Sequence, residues 1–196
     1  MKLPKWFKKI FKLFGIKFHN LYYFEKDLRN PVEPVEALIP IEVKKATDKD
    51  IEEILNSAEK DDKKYIQYDI KEKSICYIAS YNDKITGYTW INTDKILMKG
   101  GFLSTISNSG IYSFNSFVFP EYRSKKIFKS LISYVYKDMQ KQGYKYVANL
   151  ANVDNTPAVK GRESFNIKKK HIYIMLLPFN LRIIFNGPIG KGKLCK

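Results

Sequence analysis

Phe114-Asn-Ser-Phe-Val-Phe-Pro-Glu-Tyr-Arg-Ser-Lys-Lys-Ile-Phe-Lys-Ser-Leu-Ile-Ser133 decides the fold of this chain. Its first part, Ser113–Phe119, mixes aromatic and β-branched residues with short polar ones and stops at Pro120, which cannot continue a ladder. That predicts a strand. Glu121–Lys126 is a short charged turn. Ile127, Leu131, Ile132, Val135 and Met139 then recur at helical spacing and predict a helix from about Lys126 to Gln140. A strand that turns into a helix start leaves several backbone amides pointing one way, and the helix dipole adds positive potential there. Arg123, Lys125, Lys126 and Lys129 surround that corner. The expected occupant is a phosphate group.

Charge is distributed in blocks along the 196 residues, which carry a net +15. Lys and Arg outnumber Asp and Glu by 8 to 2 over residues 1–30 and by 16 to 4 over residues 101–196, whereas residues 31–100 hold 11 against 14. Two basic ends therefore flank an acidic middle, which suits anionic ligands or surfaces at the ends. A 44% hydrophobic and 15% aromatic content supports a folded domain and excludes a disordered chain. Cys76 lies in an apolar run and Cys195 near the other end, so no disulfide framework is expected and a reducing cytosol fits. No apolar run is long enough for a spanning helix, and no secretion signal is recognised. His19 and His171 lack metal-ligand spacing, and no metal is expected.

Four regions follow from the order of elements. Residues 1–18 place Leu3, Trp6, Phe7, Ile10, Phe11 and Phe14 on one helical stripe, with Lys5, Lys8, Lys9 and Lys12 mainly on the other side. Such a basic amphipathic helix lies on an anionic membrane or packs on protein, and the lysine-only polar face favours the membrane. Residues 19–40 hold a strand at His19–Leu28 and a connector with three prolines over Asn30–Pro40. Residues 41–180 form the main domain, and 181–196 a basic tail. Within the domain, a strand at Ile41–Lys45 precedes a helix capped by Thr47 or Asp48 and a second, polar helix over residues 61–73. Ser74–Tyr81 and Lys84–Thr93 form a hairpin around Asn82-Asp83, with Gly87 marking a bulge or a close backbone approach. Residues 94–110 are expected as loop with at most a short strand or helix. Further elements are a strand at Tyr144–Leu150, a helix at Thr156–Ser164, a strand at Ile172–Leu177 and an apolar stretch at Phe179–Phe185.

Val118-Phe-Pro120-Glu-Tyr-Arg123-Ser-Lys-Lys126-Ile-Phe128 resembles the pyrophosphate-binding segment of the GNAT acyl-CoA N-acyltransferases. In that family a strand Val and a Pro precede Arg or Gln-x-x-Gly-x-Gly or Ala. Lys126 and Phe128 stand where the glycines belong, and a side chain at 126 either crowds a phosphate or adds charge to it. Ile85-Thr-Gly87 is similar to the family's second hairpin strand, and Asn155-Thr-Pro-Ala158 to the start of its last helix. The resemblance spans Ile41 to Leu177. It implies a mixed α/β (α+β) fold with helices on both faces, its central sheet splayed at the strands flanking a CoA site.

What the resemblance implies about chemistry is transfer of an acyl group, acetyl above all, from acyl-CoA to a primary amine. Backbone of Phe117 and Val118 would pair with the pantetheine amides. Arg123, Ser124, Lys125, Lys126, Ile127, Phe128 and Lys129 would hold the pyrophosphate, and Asn155 would contact the coenzyme arm. Candidates for proton transfer are Tyr112, Asn115 and Glu121, although an amide such as Asn115 cannot take a proton. The family's acidic Tyr on the last helix corresponds to Arg162, which can stabilise a thiolate but donates a proton poorly. Asn166-Ile167 replaces the family's Gly-Phe. Tyr65, Tyr68, Lys168–Lys170 and His171 lie where relatives shape the acceptor pocket, and their positive rim points to an anionic acceptor such as a nucleotide- or lipid-linked amino sugar. The expected setting is cytoplasmic, with membrane association through residues 1–18. The competing reading is a degenerate domain that binds CoA or an anionic membrane without turnover. Aminoacyl transfer from tRNA usually needs a doubled domain, and no nucleic-acid motif accompanies the charge.

Overall fold

A computed structural model describes residues 13–98, 101–107, 109–165, 167–177, 182–186 and 193–195. Of the helix expected over residues 1–18, residues 1–12 lie outside the described residues, and Lys17 and Phe18 belong instead to the strand that follows; Asn166 is also outside them. In chain order the strands are β1 (Lys17–Asp27), β2 (Glu42–Lys45), β3 (Ile75–Tyr81), β4 (Lys84–Asn92), β5 (Lys95–Met98), β6 (Gly101–Thr105), β7 (Gly110–Val118), β8 (Tyr146–Asn152), β9 (Lys168–Leu176), β10 (Arg182–Asn186) and β11 (Lys193–Cys195). The helices are α1 (Asp48–Ser57), α2 (Lys60–Lys71), α3 (Ile127–Lys141) and α4 (Thr156–Glu163). Two compact units divide the chain, residues 27–148 and the remainder.

Residues 27–148 build a mixed sheet in the order β8–β7–β4–β3–β2, where β7 and β8 run parallel and the other neighbours antiparallel. Asn82 and Asp83 make the β3–β4 turn with φ of 49° and 59°, the left-handed pair that a two-residue hairpin requires. Helices cover both faces. Successive residues of β3 point to opposite sides: the Tyr77 hydroxyl donates to Asp138 of α3, while Cys76 is buried on the side of Asp50 and Asp69, which belong to α1 and α2. A capping box starts α1, with the Thr47 hydroxyl accepting from the Asp50 amide and the Asp50 carboxylate accepting from the Thr47 amide. Trp90, Ile78, Ile111, Leu131 and Val135 are fully buried between these layers.

Gly87 stands at the close approach that its position in a strand signals. A Cβ there would lie 2.8 Å from the Phe117 carbonyl oxygen, so only glycine lets β4 and β7 meet at that point. One rung further, β7 carries two residues, Asn115 and Ser116, against Thr89 alone, because Tyr88 pairs with Phe117 and Trp90 with Phe114. Asn115 takes φ of 46° in this bulge.

Residues 94–110 are not mainly loop. They form the β5–β6 hairpin, with Leu97 and Leu103 buried, and β7 begins at Gly110, three residues before the expected Ser113. The shortness of both strands and the register break between Ile96 and Leu97 hide the alternation.

The second unit aligns β11–β10–β9–β1, all antiparallel. β9 starts at Lys168, earlier than the expected Ile172, since three lysines are carried into the ladder by their partners: Glu25 faces Lys168, and the Lys169 ammonium sits 3.8 Å from the Tyr22 ring centre. Phe24, Ala151 and Val159 pack together beneath α4, with Tyr22, Ala158 and Ile167 against them. β10 overlaps the apolar stretch 179–185, of which 179–181 lie outside the described residues, and ends one residue beyond it at Asn186; β11 puts a further strand into the expected basic tail.

Candidate functional site

The corner between β7 and α3 begins where Phe119 donates to the Thr86 carbonyl and closes the strand. Pro120–Tyr122 make one 3-10 turn, held by Tyr122 and Arg123 amides donating to Phe119 and Pro120 carbonyls. Ser124 and Lys126 then take φ of 63° and 59°. Two non-glycine residues thus adopt the left-handed conformation that the family's glycines would favour, at about 1 kcal/mol each. This resolves the departure at Lys126: it is the N-cap residue of α3 in that conformation, with its side chain exposed. No side chain caps α3. The backbone bond that opens the helix ladder runs from the Ser130 amide to the Lys126 carbonyl. A helix start with an uncapped turn, no acidic residue in it, and Arg123, Lys125 and Lys129 nearby fits a diphosphate.

Arg123 is not a loose cation. Its guanidinium donates to the Val118 carbonyl at 3.2 Å and lies 5.8 Å from the Phe117 ring centre. The Val118 carbonyl therefore already accepts one hydrogen bond. Phe117 stays partly exposed at the strand end, edge-on to Phe119. The parallel ladder between β7 and β8 joins Gly110–Tyr112 to Tyr146–Ala148, and β7 continues past it to Val118.

Sequence reasoning missed Asp69. It sits on α2 with 4% of its surface exposed, and its carboxylate accepts from the Asn115 side-chain amide at 3.0 Å. Burial pushes its carboxyl up to about 6, and the Asn115 hydrogen bond only partly offsets that. Asp69 comes three residues after the buried Ile66, so it falls on the inward stripe of α2. A carboxylate on a buried stripe was the available signal. Asn115 is thus brought together with a carboxyl group that burial holds at about 6, a group able to take a proton where an amide cannot.

Most of the other candidates have partners of their own. Tyr112 is buried in the sheet with its ring stacked on Phe114 at 5.1 Å. Glu121 is exposed on the 3-10 turn, and with Glu53, Lys84, Phe119 and Tyr122 it lines an open cleft of about 290 Å³. In the second unit, the Asn155 side chain caps α4 by accepting from the Ala158 amide at 3.2 Å, which commits its oxygen to the helix. Arg162 is buried on α4 and donates to the Asn149 side-chain oxygen at 3.3 Å. His171 shares a hydrogen bond with Asn20, and Lys168–Lys170 are exposed. Among the described residues no group of His, Cys, Asp or Glu is placed to hold a metal.

Comparison with known proteins gives the following. The acetyltransferase (GNAT) family matches residues 42–160. No match was found among curated proteins. Similar solved structures include a conserved protein of unknown function from Staphylococcus epidermidis (10% identity, TM-score 0.58, covering 89% of this chain and 67% of that one). A GCN5-related N-acetyltransferase from Sphaerobacter thermophilus has 13% identity and a TM-score of 0.57, over 96% of this chain and 58% of that one. The ribosomal-protein-S18-alanine N-acetyltransferase from Escherichia coli has 12% identity and a TM-score of 0.54, over 78% of this chain and 97% of that one. The chain thus spans about two thirds of the first of these and less of the second.

Proposed function

This chain belongs to the acetyltransferase (GNAT) family, and we propose that it moves an acetyl group from acetyl-CoA to a primary amine on an anionic acceptor, a nucleotide- or lipid-linked amino sugar. Acyl-CoA-dependent N-acyl transfer is the reaction of the family. The observation that carries the reading to these residues is the uncapped start of α3 behind two left-handed residues, with Arg123 and Lys125 beside it. When bound, acyl-CoA supplies an activated thioester carbonyl. Arg123, Lys125 and Lys129, at the positive end of the uncapped α3, would hold the diphosphate. Asp69, kept in place by Asn115, accepts the proton that the acceptor ammonium must lose before its nitrogen can attack. The resemblance gives Arg162 the place of the family's acid, where an arginine stabilises a thiolate rather than donating a proton.

The anionic acceptor is supported by the exposed Lys168–Lys170 at the start of β9 and by the overall charge of +15. Membrane association, with a cytoplasmic setting, is supported by the stripe in residues 1–18 and by Phe14, a stripe residue that is 67% exposed. The test measures thiol release from acetyl-CoA with amino-sugar nucleotides, polyamines and peptides. Turnover of amino-sugar nucleotides is expected, and exclusive turnover of peptides would remove the sugar assignment. Reversing charge at Arg123 and Lys125 together is expected to weaken CoA binding at least about tenfold in calorimetry, the loss of two charge-assisted contacts. Unchanged affinity would place the diphosphate elsewhere.

A further inference from the structure

Residues 28–40, ahead of the stretch that the family matches, run along the whole of α3 in the opposite direction. The Gln140 side chain, at the C-terminal end of α3, donates to the Leu28 and Asn30 carbonyls. Midway, the Val35 amide donates to the Ser133 hydroxyl at 3.1 Å. At the N-terminal end, the Leu38 amide donates to the Lys125 carbonyl at 2.9 Å. Pro31, Pro34 and Pro40 stiffen the segment between these anchors. The result is a strap, fixed at three heights, whose last bond falls on the loop that precedes α3.

That last bond has a definite geometric effect. In a trans peptide the carbonyl and the following amide hydrogen point in opposite directions. Pinning the Lys125 carbonyl to the strap therefore turns the Lys126 amide away from the strap. The same pin holds the loop between Ser124 and Lys126, the two residues with positive φ. Strained residues keep such conformations only where their surroundings over-determine them. With no glycine at either position, a restraint from outside the loop takes the place of intrinsic preference.

We infer that the strap is a positioning element of the coenzyme site, in which the Leu38 amide, by holding the Lys125 carbonyl, keeps the loop and the Lys126 amide arranged to receive the CoA diphosphate. This rests on the functional reading above, and it deepens it by adding a residue outside the matched region. Leu38 acts through Lys125 and need not touch the coenzyme.

The experiment measures binding of CoA and of pantetheine, which lacks the diphosphate, to three forms of the full chain. Leu38→Pro removes the amide hydrogen, whereas Leu38→Ala removes the side chain and keeps it. Leu38→Pro is expected to weaken CoA binding by about tenfold, and Leu38→Ala by less than about twofold, with pantetheine binding equal in all three. Unchanged CoA affinity in Leu38→Pro, an equal loss in Leu38→Ala, or a parallel loss for pantetheine would overturn the inference. Should Leu38→Pro lack a cooperative thermal transition, Ser133→Ala decides by the same measurement: it frees the strap at Val35, and about a threefold selective loss is expected. No loss would overturn it. Binding of CoA by the unaltered protein without acyl transfer would remove the catalytic reading and leave the strap standing, whereas no binding of CoA would overturn both.

Discussion

In the proposed reaction Asp69 is set for function against stability. Its buried carboxyl titrates near 6 instead of near 4, so the folded protein binds a proton more tightly than the unfolded chain between those values. Stability accordingly falls as pH rises through that window and stays lower above it. Activity moves the other way, because only the ionised form can accept a proton. We expect kcat/KM to rise with pH through about 6, the value burial imposes. Asp69→Asn should abolish that acidic limb, lower kcat/KM by about 10²-fold or more, and raise the thermal midpoint at pH 8. A variant with full activity, or with a lower midpoint, would show that the carboxylate is structural. Lys126 offers the converse case. Replacing it with Gly removes a left-handed strain of about 1 kcal/mol, so unfolding should shift upward in denaturant by roughly that amount. Asp69 could have been found from its place on the stripe of Ile66, whereas Lys126 was marked only by standing where the family has glycine. Nothing in its own chemistry announces a positive φ, which the loop around it imposes.

Elements were legible where a local rule governs them. Thr47, Asp50 and the stripe through Ile54 define α1, and Asn82-Asp83 define the β3–β4 turn, because cap and turn chemistry act within a few residues. The β5–β6 hairpin and the lysine start of β9 were not, since their strands exist through partners distant in sequence, such as Glu25 across from Lys168. Gly87 lies between these cases: the sequence marked the close approach, and the structure supplies its partner, the Phe117 carbonyl. Gly87→Ala is expected to force β4 and β7 apart at the end of β7 that leads into the coenzyme corner. The change should cost about 1–3 kcal/mol in urea unfolding and weaken CoA binding as well. Loss of stability with full CoA affinity would separate the hairpin from the site.

Across the whole molecule, the mixed sheet, its helices and the family were visible from three matching segments in the right order, while the acceptor was not, because charge fixes its sign and little more. The N-terminal stripe makes a prediction at this scale. The full chain is expected to sediment with vesicles containing anionic lipid, and a form lacking residues 1–18 should stay in the supernatant. Equal sedimentation of both would assign that stripe to protein packing.

The pairing of β1 with β9 has a consequence for biosynthesis. A ribosome releases residues 17–27 long before residues 168–176, so the early strand must wait, its edge open to water and to neighbouring nascent chains, while residues 27–148 can already collapse on themselves. Completion of the second unit thus waits for residues 168–176, and a polypeptide cut short before Lys168 leaves β1 without its β9 partner.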